Sequence, residues 1–177
     1  NYGNMCGGEF FVDGAHFYVT GQISKGRDTP AVIELLKERW PGREIIVYPD
    51  ASGRAHDTRS GSQTDHGLLK AAGFEVRVSP ANPAVRDRIV SGNAALLDGQ
   101  GYRWLRVNEA TAGDVAHALE AQIYDQNGMP EKGGSQDVSH WTEPLGYAVH
   151  ALRPAIRPRG AAIGNSARER FTGRAAA

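Results

Sequence analysis

Two segments rich in aromatic and β-branched residues flank an Asp-Gly pair near the start of the chain. Residues 9–12 and 16–23 have the composition that strands favour, and Asp13 with Gly14 between them is a strong short-range hairpin signal. We therefore expect an antiparallel hairpin, preceded by a strand that ends near Met5. Because the sequence does not start with methionine, we expect it to be a fragment of a longer protein.

Helical and strand patterns alternate after the hairpin, which predicts an α/β domain with a mixed sheet flanked by helices. Thr29 is expected to cap the first helix, with Pro30 in its first turn, and Thr64 to cap a short helix that Gly73 closes. A further helix is expected after Thr111. The predicted strands cover residues 44–48, 74–78 and 102–107, and the other helices start near residues 82 and 140. The sheet is thus an antiparallel meander followed by parallel strands.

Length and composition limit the function classes. The chain of 177 residues suits one domain, over 1–152, followed by an Arg-rich tail over 153–177 that we expect to be disordered. No apolar run is long enough for a membrane span, and no signal peptide precedes the fold, so we expect a protein that is not secreted. Cys6 alone excludes an internal disulfide framework. The formal net charge of zero argues against a passive nucleic-acid coat but is compatible with a nuclease.

Asp50 is the most informative single residue. It follows the predicted strand 44–48, and ligand sites in open α/β sheets gather at such strand ends. Ser52 and Gly53 after it leave room for a phosphate or an ion near the backbone. The competing interpretation is a simple turn, because Asp, Ser and Gly favour turns for local reasons.

A second polar cluster lies at the start of the last predicted helix. His140 and Glu143 are three residues apart and share one helix face. An acid there can merely complement the helix dipole, and Asp137 can be a solvated loop residue. Together with Asp50, however, oxygen ligands of this kind suit Mg²⁺ or Mn²⁺.

Other polar residues have weaker functional interpretations. Arg86 and Arg88 in a first helical turn can hold DNA phosphates, or can pair with nearby acids. Asp65 and His66 are expected to be a capping acid and an exposed histidine.

The ordered set of segments 47–53, 64–69, 73–76, 82–89 and 140–147 resembles the nuclease domain of the tailed-phage terminase large subunit. The resemblance extends from Asn1 to about Leu152. It implies an RNase H-like fold and an endonuclease that cuts concatemeric double-stranded viral DNA during genome packaging, with two divalent cations, Mg²⁺ or Mn²⁺. It also implies an N-terminal ATPase domain, a portal and a small terminase subunit as partners, and the host cytoplasm as location.

The resemblance assigns roles to individual residues. Asp50 and Glu143 would be metal ligands, although the family has Asp in place of Glu143 and Ala in place of Pro144. His140 would assist proton transfer or product release. Arg86, Arg88, Ser52 and Gly53 would contact DNA. The family's first-strand acid falls upstream of Asn1, with Glu9 and Asp13 as possible substitutes that do not match the motif's position.

Two other functions stay open on the sequence alone. One is another RNase H-like nuclease, such as a junction resolvase, which assays on branched and linear DNA would distinguish. The other is a degenerate, non-catalytic module that docks onto DNA or the portal. The zero net charge and the unmatched first acid favour this module, and a titration with Mn²⁺ would separate it from an enzyme.

Overall fold

The protein is an α/β domain in which a mixed three-stranded sheet is flanked by helices. The computed structural model describes residues 5–54, 64–133 and 137–155. The strands are β1 (Met5–Asp13), β2 (His16–Gly26), β3 (Ile46–Val47), β4 (Glu75–Val76) and β5 (Leu105–Val107). The helices are α1 (Thr29–Arg39), α2 (Asp65–Ala71), α3 (Val85–Leu96), α4 (Gly113–Ala121) and α5 (Ser139–Leu152), and Ala51–Arg54 forms a single 3₁₀ turn.

The predicted hairpin is confirmed. β1 and β2 pair antiparallel, and Gly14 takes a positive φ of 58° in the turn between them. β5 joins the free edge of β2 in parallel, with Leu105 opposite Phe17, which confirms an edge strand in this segment. The expected separate strand before the hairpin is not found within the described residues, since β1 itself starts at Met5.

β3 and β4 form a separate parallel pair that is shorter than predicted. Only Ile46 and Val47 pair with β4, and both are half-buried rather than covered on both faces. The prediction of a five-residue buried strand is therefore wrong in extent. A run of apolar residues does not distinguish a strand from an extended segment beside a core.

A β-bulge divides the hairpin into two regions. Phe10 lies opposite Val19 but Glu9 lies opposite Gly21, so β2 has one extra residue there. Val19 packs in the main core with α5, whereas Ile23 beyond the bulge packs against α1. The bulge thus turns the apolar side chains of β2 from one face of the sheet to the other.

Two apolar clusters hold the helices in place. In the main core, the sheet packs against α3, α4 and α5 through the buried residues Phe17, Val19, Ala95, Leu105, Ala112, Val115, Leu145 and Val149. In the second cluster, α1, α2 and the β3–β4 pair meet through Val32, Ile33, Leu36, Leu69 and Phe74. Within the described parts of the chain, no helix is both long enough and apolar enough to cross a membrane.

The helix caps were predicted with mixed success. Thr64 caps α2 as expected, since its hydroxyl oxygen accepts a hydrogen bond from Gly67 N. Thr29 does not cap α1, because Asp28 accepts from Ala31 N at 2.9 Å and leaves Thr29 as the first helical residue. Thr111 does not cap α4 either, since that helix starts at Gly113.

The first turn of α4 is capped from another element. The Gln22 side-chain oxygen on β2 accepts from Asp114 N at 3.0 Å and from Val115 N at 3.4 Å. Gln22 is 92 residues from Asp114 in sequence. It accepts from backbone N–H groups of the first turn that a neighbouring side chain would otherwise cap. The predicted tail falls outside the described residues from 156 onward.

Candidate functional site

Asp50 lies immediately after β3 and before the 3₁₀ turn, at the strand end where the sequence predicts a site. Its Oδ1 accepts hydrogen bonds from Ser52 N at 2.7 Å and from Asn82 Nδ2 at 2.8 Å. Its Oδ2 accepts from the Tyr147 hydroxyl at 3.2 Å. The bond to Ser52 is the local turn interaction that the competing interpretation expects, but the bonds to Asn82 and Tyr147 come from distant elements.

These donors keep Asp50 ionised. Partial burial works to raise the pKa of Asp50, but the hydrogen bonds from Ser52, Asn82 and Tyr147 outweigh it and hold that pKa below its usual value. The carboxylate is therefore negative at neutral pH.

His66 supports the Asp50 loop from behind. The histidine is only 5% exposed, and its Nε2 lies 2.8 Å from the Asp50 backbone carbonyl. The prediction of an exposed His66 is therefore wrong, because the ring fills the space beneath the 3₁₀ turn. Gly53 is part of the same packing, since a Cβ there would lie 2.8 Å from His66 Nε2.

The neighbouring loops are tied to this turn. Asn82 Oδ1 accepts from Ala51 N at 2.8 Å, so Asn82 holds both the turn and the Asp50 carboxylate. The Arg54 guanidinium donates to the carbonyls of Ser79 and Pro80, at 2.5 and 3.1 Å. Ser52 is exposed at the surface of the turn. The turn that contains Ser52 and Gly53 is thus fixed on two sides.

Glu143 lies in the first half of α5 and is neutralised by two cations. Its Oε1 is 2.8 Å from Lys132 Nζ and 3.7 Å from Arg88 Nη2. The carboxylate is about one-quarter exposed, so these contacts are only partly screened by solvent. Lys132 lies outside every motif that the sequence suggested.

Tyr147 and Arg88 connect the two acids. Tyr147 is one helical turn beyond Glu143, and its hydroxyl donates to Asp50 while the Arg88 guanidinium stacks 4.4 Å from its ring centroid. Burial, and then the negative charges of Asp50 and Glu143, raise the pKa of Tyr147 to about 12, with Arg88 acting in the opposite direction. Both carboxylates therefore act on one phenol, which stays protonated at neutral pH.

The two arginines predicted to hold DNA differ in exposure. Arg86 is exposed, whereas Arg88 is only 7% exposed and is engaged by Tyr147 and Glu143. The Arg88 Nε is buried without a hydrogen-bond partner among the described residues. The Arg88 side chain lines a cavity of about 70 Å³ between α3, α4 and α5. The apolar residues Val85, Ile89 and Leu96 of α3 are only half-buried. The buried residues of this helix are Arg88, Ser91 and Ala95.

A small cleft of about 20 Å³ adjoins Asp50 and contains basic groups that the sequence did not indicate. Arg77 and His150 line it together with Asn82 and Tyr147. Arg77 donates to the Tyr48 hydroxyl at 3.2 Å. These residues come from three separate segments, so no local motif could have brought them to attention.

His140 is exposed at the start of α5, one turn before Glu143. Hydrogen bonds from Ser139 and from Gly133 N lower the pKa of the neighbouring Asp137 to about 2. Asp137 is therefore not the solvated loop residue that one interpretation allows, but closes the loop that precedes α5.

The two possible substitutes for a first-strand acid lie elsewhere. Glu9 pairs with Arg39 and accepts from Trp40 Nε1 at 3.2 Å, at the end of α1. Asp13 is exposed at the hairpin turn. Neither residue contacts Asp50 or Glu143 through any described interaction.

Within residues 5–54, 64–133 and 137–155, no group of three or more His, Cys, Asp or Glu side chains could hold a metal ion. Magnesium, however, commonly binds through one or two carboxylates together with water and substrate phosphates. Asp50 and Glu143 are two carboxylates of this kind, and Glu143 is paired with Lys132 at 2.8 Å.

Comparison with known proteins places the chain in no family. No protein-family model matches it, and neither the curated proteins nor the solved structures contain a significant match. A function for the chain is therefore inferred from its fold and from the contacts of Asp50 and Glu143.

Proposed function

We propose that the protein is a metal-dependent endonuclease with an RNase H-like fold, which cuts concatemeric double-stranded viral DNA during genome packaging. One observation supports this most: Asp50 at a strand end and Glu143 on the last helix are joined through Tyr147 and Arg88. A chance turn acid and a chance helix acid would have no reason to share these partners.

Asp50 and Glu143 would hold the cation, with the scissile phosphate completing its shell. When bound, such a cation would supply activation of a water and charge stabilisation at the phosphate. A second ion would require a further acid, which the family resemblance puts upstream of Asn1. Two ions, Mg²⁺ or Mn²⁺, are accordingly the expectation for the longer protein.

The chain's own residues would orient the reactants. Asn82 and Tyr147 fix the Asp50 carboxylate, and the Tyr147 pKa of about 12 keeps its hydroxyl protonated and able to donate to Asp50. His140, exposed near Glu143, is suited to move a proton to the leaving oxygen. Arg86 and the turn with Ser52 offer phosphate contacts, which carry little sequence preference.

The wider setting follows from the resemblance. We propose an ATPase domain N-terminal to this chain, a portal and a small terminase subunit as partners, and action in the host cytoplasm. Cutting would then occur where the packaging motor holds the duplex.

Plasmid cleavage in Mn²⁺ tests the proposal. The parent chain, a version extended upstream of Asn1, and the Asp50→Asn and Glu143→Gln variants are compared. Asp125→Asn is the matched control, because Asp125 is an exposed loop acid that only closes its own turn. We expect cutting to fall at least about 100-fold with either site variant, in line with the loss of an electrostatic group at a reacting centre.

The control should cut as well as its parent. Equal cutting by Asp50→Asn and its parent would remove Asp50 from the site. Loss with Asp125→Asn of the same size would show that the assay reports folding rather than chemistry.

A non-catalytic docking module is the second candidate, and one observation favours it. Lys132 and Arg88 already neutralise Glu143, as expected where no cation is needed. This alternative predicts that both the chain and its extended version leave plasmid intact with Mg²⁺ and with Mn²⁺. Cleavage by the extended version alone would instead support the enzyme.

A further inference from the structure

The sheet carries a second surface, on the side opposite α5, that the proposed nuclease site does not use. Phe17 and Leu105 are opposite each other and both point into the main core. Their neighbours Tyr18 and Arg106 therefore point to the other side of the sheet, because side chains alternate along strands. Trp104, just before β5, lies at the edge of the sheet and also packs against the main core.

Aromatic side chains form a continuous group there. Phe11 is the cross-strand partner of Tyr18, and Tyr18 is the partner of Arg106, so the three form one row across the sheet. His16 and Tyr102 lie beside Trp104, with ring centroids 5.2 and 5.8 Å away. We call Phe11, His16, Tyr18, Tyr102, Trp104 and Arg106 the aromatic face.

Arginines are interleaved with the rings. The Arg106 guanidinium lies 5.7 Å from the Tyr18 ring centroid and donates to its hydroxyl at 3.2 Å. The Arg153 guanidinium lies 3.9 Å from the Trp104 ring centroid. Asp98 accepts a hydrogen bond from Trp104 Nε1 at 2.7 Å and lies 4.0 Å from the Arg153 guanidinium. The exposed Asp13 lies two residues beyond Phe11 on β1.

The face is open to solvent at its two outer rings. Phe11 is 62% exposed and Tyr102 is 59% exposed, and Arg106 is exposed as well. An exposed group of rings with arginines between them is the pattern of surfaces that stack unpaired bases and hold the phosphate backbone. A folded domain seldom leaves such rings together in water without a partner.

We propose that the aromatic face binds single-stranded DNA. A strand offers flat bases to Phe11 and Tyr102 and phosphates to Arg106. Duplex bases are already stacked, so a duplex would use only the arginines. The chain's own segment 156–177 is a poor occupant, because its five arginines and one glutamate would be repelled by this face. The choice of DNA over RNA rests on the proposed function; the stacking surface itself does not.

Fluorescence anisotropy with a labelled 20-nucleotide oligothymidylate, in EDTA and at fixed salt, tests the proposal. We expect Phe11→Ala and Tyr102→Ala each to raise Kd about fivefold or more, the usual effect of removing a stacking ring. Tyr102→Phe, which keeps the ring, should bind like the parent. Arg106→Ala should weaken binding and flatten its salt dependence.

The controls are Tyr124→Ala, an exposed ring elsewhere, and Arg43→Ala, an exposed arginine elsewhere. Both should leave Kd within about twofold, and circular dichroism melts should show all variants folded. An unchanged Kd for Phe11→Ala and Tyr102→Ala, equal weakening by the controls, or equal affinity for oligouridylate would overturn the proposal. Asp50→Asn should bind oligothymidylate normally, so a failed nuclease assay and a failed binding assay are separable.

Discussion

Truncation of Arg88 tests the side chain that joins the two acids of the candidate site. Its guanidinium contacts Tyr147 at 4.4 Å and Glu143 at 3.7 Å, while its stem is buried against Gly146 of α5. At the same time its Nε is buried without a partner among the described residues, which opposes stability. Arg88→Ala removes stem and head together, whereas Arg88→Met keeps most of the stem.

The structure gives different magnitudes for the two variants. Loss of two buried methylenes costs about 1.6 kcal/mol, and loss of the ring contact costs about 1 kcal/mol. Removal of the buried, unpaired Nε stabilises the fold by about 1 kcal/mol. The ion pair with Glu143 contributes little, because Glu143 is partly exposed. Arg88→Ala should therefore lower the free energy of unfolding by about 2 kcal/mol, and Arg88→Met by less than about 1 kcal/mol.

Urea denaturation followed by tryptophan fluorescence and by circular dichroism at 222 nm measures both values. Coincident transitions by the two probes are required before the values are compared. If Arg88→Met is destabilised as much as Arg88→Ala, the charge contacts dominate and the reasoning from the buried stem and unpaired Nε is wrong.

Two further predictions concern pH and packing. The lowered pKa of Asp137, about 2, stabilises the fold above pH 4, and this contribution is lost as pH falls from about 4 to 2. Asp137→Asn should cost about 1 kcal/mol at pH 7, after allowance for solvent screening, and about a third of that near pH 2.5; an equal cost at both values would contradict it. Gly53→Ala should destabilise by about 1–2 kcal/mol because its Cβ would collide with the buried His66 ring. Gly92→Ala, in open space on α3, should instead stabilise by about 0.5–1 kcal/mol in the same urea titrations.

Local signals predicted the elements that local contacts build. The Asp-Gly turn, the Thr64 cap and the final helix follow from residues close together in sequence. The cap of α4 was missed because Gln22, not Thr111, accepts from its first turn. The same holds for α1, where Asp28 competes successfully with Thr29.

In the candidate site, too, local features were predictable and long-range contacts were not. Asp50 and Glu143 were found because each lies at a recognisable position, a strand end and a helix start. The contacts that connect them were not predictable, since Tyr147, Arg88 and Lys132 meet only after folding. The burial of His66 was not predictable either, because its ring is covered by the distant 3₁₀ turn that follows Asp50. The residues next to His66 in sequence indicate only a capped helix start.

Calorimetric titration of Mn²⁺ tests whether the strand-end acid and the helix acid form one site. The chain is titrated beside its Asp50→Asn, Glu143→Gln and Lys132→Met variants. We predict one binding event that Asp50→Asn and Glu143→Gln each weaken at least about tenfold. Lys132→Met should strengthen it, because the Lys132 ammonium then no longer competes with the ion for the Glu143 carboxylate. An unchanged isotherm for either carboxylate variant, or no uptake of Mn²⁺ by the parent chain, would contradict a shared cation site.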